Sequence, residues 1–361
     1  RKLMKNLKKV GLSALAGSLA MLTSVSATEY SVSGDAQVIF NTAEGNENGA
    51  AASNGKGMSS DTDLYFNASG ELDNGFTVSF YQAANTHGAW SNSSSSMTLG
   101  MGSMGSINYN NKFGSAANAI DDVLPKAYEE VWDGTTHGRA FDGFGSATAQ
   151  GSISYFAPTI DLMGVSISLA ADYDSSVDNG PADSSGAGVA ADGASGEAFT
   201  VKLAHESGLT IGGGIEDLNA TAAQTNGSGG EDGVTAYALY SMGPISVGYQ
   251  AYYLNNGTAR TGAAASASDY DGEAMSIAFN VNDNLSIGYG EVKETKGTVA
   301  GTLAAATTPS TDRDISSLTV AYSAGGMALT VQQTETDNYA LAAAASARNT
   351  ENTHVTLAFA F

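Results

Sequence analysis

After residue 28, apolar residues recur at every second position through most of the chain, and the segments carrying this rhythm are joined by connections that alternate between short and long. A period of two is the signature of a strand with one apolar face. Tyr30, Val32, Ala36, Val38 and Phe40 alternate with Ser31, Ser33, Asp35 and Gln37. Leu64, Phe66, Ala68 and Leu72 alternate with Asp63, Tyr65, Asn67, Ser69 and Glu71. The step Asp73-Asn74-Gly75 then makes a tight turn, because Asn-Gly adopts positive φ at little cost, and Phe76, Val78 and Phe80 run back. Continued to Val355, Leu357, Phe359 and Phe361, the pattern predicts sixteen strands. The long connections are polar and fall near 43–60, 83–95, 111–148, 174–196, 216–232, 254–269, 293–313 and 334–350. An even strand count, with short turns at one rim and long loops at the other, predicts an all-β antiparallel up-and-down barrel. Greek-key connections of a soluble sandwich do not alternate in this way.

The two faces indicate the solvent on each side. The apolar-phase positions carry no charge, whereas Asp35, Asp63, Glu71, Asp172 and Lys202 fall on the alternate phase. Backbone groups in hydrocarbon must pair internally, so only a closed barrel can turn such a face to lipid. A charge at mid-bilayer on that face would cost about 2–4 kcal/mol. Aromatic residues cluster near strand ends (Tyr30, Phe76, Tyr109, Tyr155, Tyr240, Tyr253, Phe361), as interfacial girdles require. Residues 1–27 read as a secretory signal: Arg1, Lys2, Lys5, Lys8 and Lys9 precede an apolar run from Val10 to Leu22, and Ser24-Val25-Ser26-Ala27 offers a cleavage site. Residues 28–361 then form the barrel.

Composition narrows the function classes. Fifteen Lys and Arg against 37 Asp and Glu, a net charge of −22, argue against nucleic-acid binding, which wants a basic face. The absence of Cys excludes disulfides and Cys-ligated metal centres. His87, His137, His205 and His354 are scattered, and a barrel hydrolase needs a His within reach of a Ser.

The ordered set formed by Val25-Ser26-Ala27, Val32-Ser33-Gly34-Asp35, Glu71-Leu72-Asp73-Asn74-Gly75-Phe76-Thr77-Val78 and the terminal Leu357-Ala358-Phe359-Ala360-Phe361 resembles the general diffusion porins of Gram-negative outer membranes. The resemblance implies a homotrimer of barrels in the outer membrane, in contact with lipid and lipopolysaccharide. Each barrel would surround a water-filled pore for passive diffusion of small hydrophilic solutes and ions, with Phe361 as an assembly signal read by the barrel-assembly machinery. It further implies that the third long connection, about 111–148, folds inward as a constriction. That segment holds Asp121, Asp122, Glu129, Glu130, Asp133 and Asp142 with Lys112, Lys126 and Arg139. The family sets a basic cluster on the early strands against these acids. Here those strands offer Asp35 and Asp63 and no Arg, so only Lys112, Arg139 and Lys202 remain to oppose them.

Carboxylates confined in a channel attract cations, so the expected pore is cation-preferring. Asp121 and Asp122 with Glu129, Glu130 and Asp133 also supply enough oxygens for a structural Ca²⁺, although the spacing is not that of an EF-hand. Other readings are a plugged barrel acting as an adhesin or structural surface protein, a substrate-selective porin, and an eighteen-stranded barrel with two strands inside 111–148, where no sustained alternation is present.

Overall fold

The computed structural model describes residues 26–45, 55–85, 91–111, 115–133, 144–145, 148, 150–175, 195–219, 231–256, 266–300, 308–338, 341 and 349–361. The expected signal, apart from Ser26 and Ala27, lies outside these residues, as do Lys112, Arg139, Asp142, His87 and His137.

Seventeen strands run in chain order: β1 (Ser26–Gly45), β2 (Gly55–Glu71), β3 (Thr77–Asn85), β4 (Ser91–Gly100), β5 (Ser106–Asn111), β6 (Gln150–Phe156), β7 (Ile160–Leu162), β8 (Val165–Asp174), β9 (Ser195–His205), β10 (Leu209–Asn219), β11 (Glu231–Met242), β12 (Ile245–Asn256), β13 (Ser266–Asn282), β14 (Leu285–Ala300), β15 (Thr308–Ala324), β16 (Met327–Asp337) and β17 (Thr350–Ala360). Strands β6 and β7 both pair with β8, at Ile153–Phe156 and Ile160–Leu162 respectively. They form one stave broken at residues 157–159, where Pro158 has no N–H to give to a ladder. Ala157 N bridges the break by donating to Leu169 O at 3.0 Å. The barrel therefore has sixteen staves, all antiparallel neighbours in sequence, and β17 pairs with β1 from Asp35↔Ala360 to Gly45↔Thr350 to close the ring.

The apolar phase faces outward. Val38, Phe80, Met97, Ile153, Leu169, Phe199, Ile211, Ile277, Tyr289, Leu318 and Leu329 are all exposed. Tyr155, Tyr240, Tyr322 and Phe359 stand near the short-turn rim, and Tyr109, Tyr173 and Tyr253 near the opposite strand ends. The buried groups are mostly polar and point inward: Asn110, Ser152, Ser154, Asp172, Gln250, Gln332, Thr334 and Asn352. This inversion of the usual partition is expected of a sheet whose outer solvent is hydrocarbon and whose inside is wet.

The strands are longer than the alternation predicts. β2 begins at Gly55, and β13, β14 and β15 span 17, 16 and 17 residues. About nine to eleven tilted residues cross a bilayer. The long-loop ends of β13–β15 therefore stand beyond the apolar band, and much of 254–269 and 293–313 is paired strand rather than loop. Outward positions there turn acidic: Asp271 and Glu273 on β13, Glu291 on β14, Asp312 and Asp314 on β15. Tyr249 and Tyr289 donate their hydroxyls to Glu273 and Glu291 at 2.9 and 2.7 Å, at the boundary where polar surface begins.

Closure depends on one small residue. Gly34 and Phe361 exchange backbone hydrogen bonds at 2.8 and 2.9 Å. A Cβ at Gly34 would come within 2.8–2.9 Å of Asp63 O, Leu64 Cδ2 and the Phe361 ring. Gly34→Val should cost about 1–3 kcal/mol by overpacking and lower the fraction of heat-modifiable, folded barrel on gels. Gly57→Val, at a position with open space around it, should not.

Candidate functional site

The third long connection enters the barrel and lies along its inner wall. Its described part, residues 115–133 with 144–145 and 148, contains the short 3-10 turn Asn118–Ile120 and neither α-helix nor strand. Its backbone polar groups must be satisfied by the wall. Inward side chains of successive strands do this. Asp172 on β8 accepts from Ala116 N and Ala117 N at 3.0 and 2.8 Å. Glu216 on β10 accepts from Gly145 N at 2.9 Å. Gln250 on β12 donates to Ile120 O and Asp121 O at 2.9 and 3.0 Å. Ser276 on β13 donates to Pro125 O, and Gln332 on β16 to Glu130 O. Tyr128 donates its hydroxyl to Thr356 on β17. The loop is riveted from β8 around to β17.

Two apolar contacts complete the seat. Trp132, Leu124 and Val131 are buried against Tyr252, Leu254, Ala274, Val292 and Ile315, all on the inner phase of β12–β15. Ala117, Ile120 and Phe144 pack against Ala198 and Tyr237. Inner-phase glycines make the room: a Cβ at Gly248 would lie 2.5 Å from Pro125, and one at Gly290 would collide with Val131. Beside the first cluster, Arg313 and Glu294 form a buried ion pair to which Tyr252 adds a hydroxyl donor at 2.5 Å.

The acidic residues expected at the constriction take distinct positions. Glu129, Glu130 and Asp133 stand together, with one carboxylate oxygen from each inside 4.8 Å of the others. Lys126 pairs with Glu130. Burial pushes the Glu129 carboxyl above its ordinary value, Asp133 and Asp122 add to the rise, and Lys126 opposes it. Asp121 lies a turn away: its side chain accepts from Asn118 Nδ2 at 3.0 Å and its carbonyl from Gln250. Asp122 is exposed. Of the five carboxylates expected to supply Ca²⁺, Glu129, Glu130 and Asp133 join one group that could, and Asp121 and Asp122 are not part of it. The reason is chain geometry: the segment from 123 to 128 runs along β12 and β13 and separates the two acidic groups.

On the wall, Asp35 and Asp63 are direct partners across β1 and β2 and are only half-buried. Lys202 faces inward on β9, next to Ser168 and Gly212, and lines a recess of about 460 Å³ with loop residues Ala116, Ala119 and Ile120. The inner faces of β1 and β2 stay partly exposed at Asp35, Gln37, Asp61, Asp63 and Tyr65.

Sequence reading missed the rivets Asp172, Glu216, Gln250, Ser276 and Gln332 as loop partners, and it missed Asp61, just past one connection, and Glu294 and Arg313, which it left inside another. The inner phase of each strand, extended two to four residues further, includes all three.

The model of the Gram-negative porin family matches residues 11–226. The chain belongs to the Gram-negative porins. The barrel of this porin is also similar in fold to OmpT, an outer membrane protein of Vibrio cholerae in its trimer form. That pair shows a TM-score of 0.63 and 11% identity, over 93% of this chain and 100% of that one. The anion-selective porin from Comamonas acidovorans gives 0.61 at 10% identity over 93% and 100%, and the outer membrane channel DcaP of Acinetobacter baumannii 0.58 at 12% over 92% and 97%. No curated protein matches the sequence. As a member of this family with a lipid-facing barrel, the porin belongs in the outer membrane.

Asp172→Ala strands two loop N–H donors in a buried setting, at about 1–3 kcal/mol each. Limited proteolysis should then cut within 115–133 at a rate that leaves the wild-type loop intact, while the barrel keeps its heat-modifiable mobility.

Proposed function

We propose that this porin is a passive, cation-preferring channel for small hydrophilic solutes. The observation that carries the reading is the sign of the charge on the loop and on the β1–β2 wall. The loop presents Glu129 and Asp133, with Asp122 exposed nearby, and the β1–β2 wall presents Asp35, Asp61 and Asp63. Against them, the inward-facing basic groups among the described residues are Lys126, tied to Glu130, Lys202 on β9, Lys296 on β14, held over the Tyr270 ring, and Arg313, buried on Glu294. Like-signed walls in a confined, low-dielectric channel raise the local cation concentration and repel anions. The fold relatives include a porin named for the opposite preference, so selectivity in this architecture follows the wall residues and not the barrel.

Further parts of the reading rest on family membership and on OmpT in its trimer form: assembly as a homotrimer, contact with lipopolysaccharide, and recognition of Phe361 during assembly. Calcium at Glu129, Glu130 and Asp133 is a separate proposal, in which the ion competes with Lys126 for Glu130.

Bilayer recordings under a KCl gradient should give a reversal potential of cation sign. Neutralising Asp35, Asp61, Asp63, Glu129 and Asp133 together should move it toward zero, and a wild-type potential on the anion side would falsify the reading. Acidification supplies a second check. Because burial and the neighbouring carboxylates raise the Glu129 carboxyl above its ordinary value, it takes up its proton before an ordinary glutamate does as pH falls. Cation preference should begin to decline at a pH where ordinary carboxylates remain charged, and Glu129→Gln should remove that early phase.

A further inference from the structure

We infer that the wall of β1–β3 discriminates among cations and favours organic ammonium ions that carry an aromatic ring, with Tyr65 and Tyr81 as the specificity-determining residues. The inference deepens the cation-channel reading and rests on it.

The loop's last rivet is Tyr128 on Thr356 of β17, and β17 pairs directly with β1. On the wall that follows around the ring, Asp35, Asp61, Asp63, Tyr65 and Tyr81 keep partial exposure. On it, Tyr65 and Tyr81 stack with ring centroids 6.2 Å apart and planes 18° from parallel. Tyr65 donates its hydroxyl to Asp35 Oδ2 at 2.5 Å, which fixes the ring beside a carboxylate. Asp63, the cross-strand partner of Asp35, has one carboxylate oxygen that is shielded from bulk water and accepts no hydrogen bond. Asp61 is the next inward residue on β2 and accepts from Asn85 Nδ2 at 3.1 Å. Among the described residues, no Lys or Arg stands on the inner phase of β1–β5 to neutralise this group.

Toward the short-turn rim, the same wall continues as a recess of about 480 Å³ lined on its inner phase by Asn67, Ser69, Ser79, Ser96 and Tyr81. The two phenol rings are therefore an isolated aromatic rung in a wall of hydroxyls, amides and carboxylates. A hydrated potassium ion gains from the carboxylates alone. An ammonium ion on an organic skeleton is weakly hydrated and can in addition lie over a ring face, where the π quadrupole attracts it. An aromatic substituent adds ring-on-ring contact of the offset kind that Tyr65 and Tyr81 already make with each other. Such a solute passes the constriction with a longer residence than either potassium or a small aliphatic ammonium.

The test is single-channel recording in KCl with benzyltrimethylammonium or tetramethylammonium added to one side. The expected result is interruption of the potassium current by both, with residence about fivefold longer for the benzyl compound, a ratio set by ring contact. Tyr81→Leu and Tyr65→Leu should bring the ratio close to one, whereas Tyr65→Phe, which keeps the ring and loses the bond to Asp35, should retain most of it. Heat-modifiable mobility verifies that each variant has folded, and Tyr81→Leu decides the matter by itself where Tyr65→Leu does not fold. Equal residence of the two compounds in the wild type, or a ratio unchanged by Tyr81→Leu, overturns the inference. The reversal potential is recorded in the same membranes. A chloride-preferring wild type sinks the cation reading itself, and a cation-preferring one with equal residence sinks only the aromatic rung.

Discussion

Every backbone N–H and C=O in a lipid-spanning sheet must find a partner within the sheet, and this constraint shapes the whole molecule. An open edge in hydrocarbon would leave a row of unpaired groups, each costing several kcal/mol. The chain meets the requirement by bringing its last strand back to its first, eleven residues deep, from Asp35↔Ala360 to Gly45↔Thr350. Once the sheet is closed, period-two side chains have only two destinations. One phase meets acyl chains and the other meets whatever fills the ring.

Sixteen staves enclose more space than side chains can fill. The third connection occupies part of it, and it can do so because the wall beneath it is adapted on three counts. Amides, hydroxyls and two carboxylates answer the loop's backbone, glycines give way to its side chains, and an apolar patch receives Trp132. A loop without regular structure carries many polar groups that cannot be buried unsatisfied. Partners on β8, β10, β12, β13, β16 and β17 are therefore what fix the described part of the loop against that side of the ring. The proposed selectivity would follow from placement. The described part of the loop lies against the side of the ring that holds Arg313, while Asp35, Asp61 and Asp63 on β1 and β2 keep partial exposure.

The fold was largely legible from the sequence because its two determinants are local and periodic. Alternation at Tyr30–Phe40 or Ile245–Tyr253 needs no knowledge of neighbours, and Asn74-Gly75 announces its turn. Strand ends toward the long-loop rim were less legible. There the outward phase leaves the hydrocarbon and becomes acidic, as at Asp271, Glu273 and Asp312, so the apolar rhythm stops while the hydrogen-bonded ladder continues. Strand residues at that level look like loop residues because their solvent is the same.

The sequence by itself determined the closed barrel, the phase that faces lipid, and the place along the chain and acidic character of its longest connection. Each follows from residue type and spacing along one stretch of chain. Only the tertiary structure decided which carboxylates meet: Glu129, Glu130 and Asp133 together, Asp121 apart on Gln250, Asp35 across from Asp63, and Tyr65 stacked on Tyr81. These neighbours are set by strand register and by the course of an irregular loop over a curved wall. Both depend on contacts between residues far apart in sequence, such as the 228 positions between Tyr128 and Thr356. No local pattern encodes such pairings, because the energy that fixes them exists only after the ring has closed.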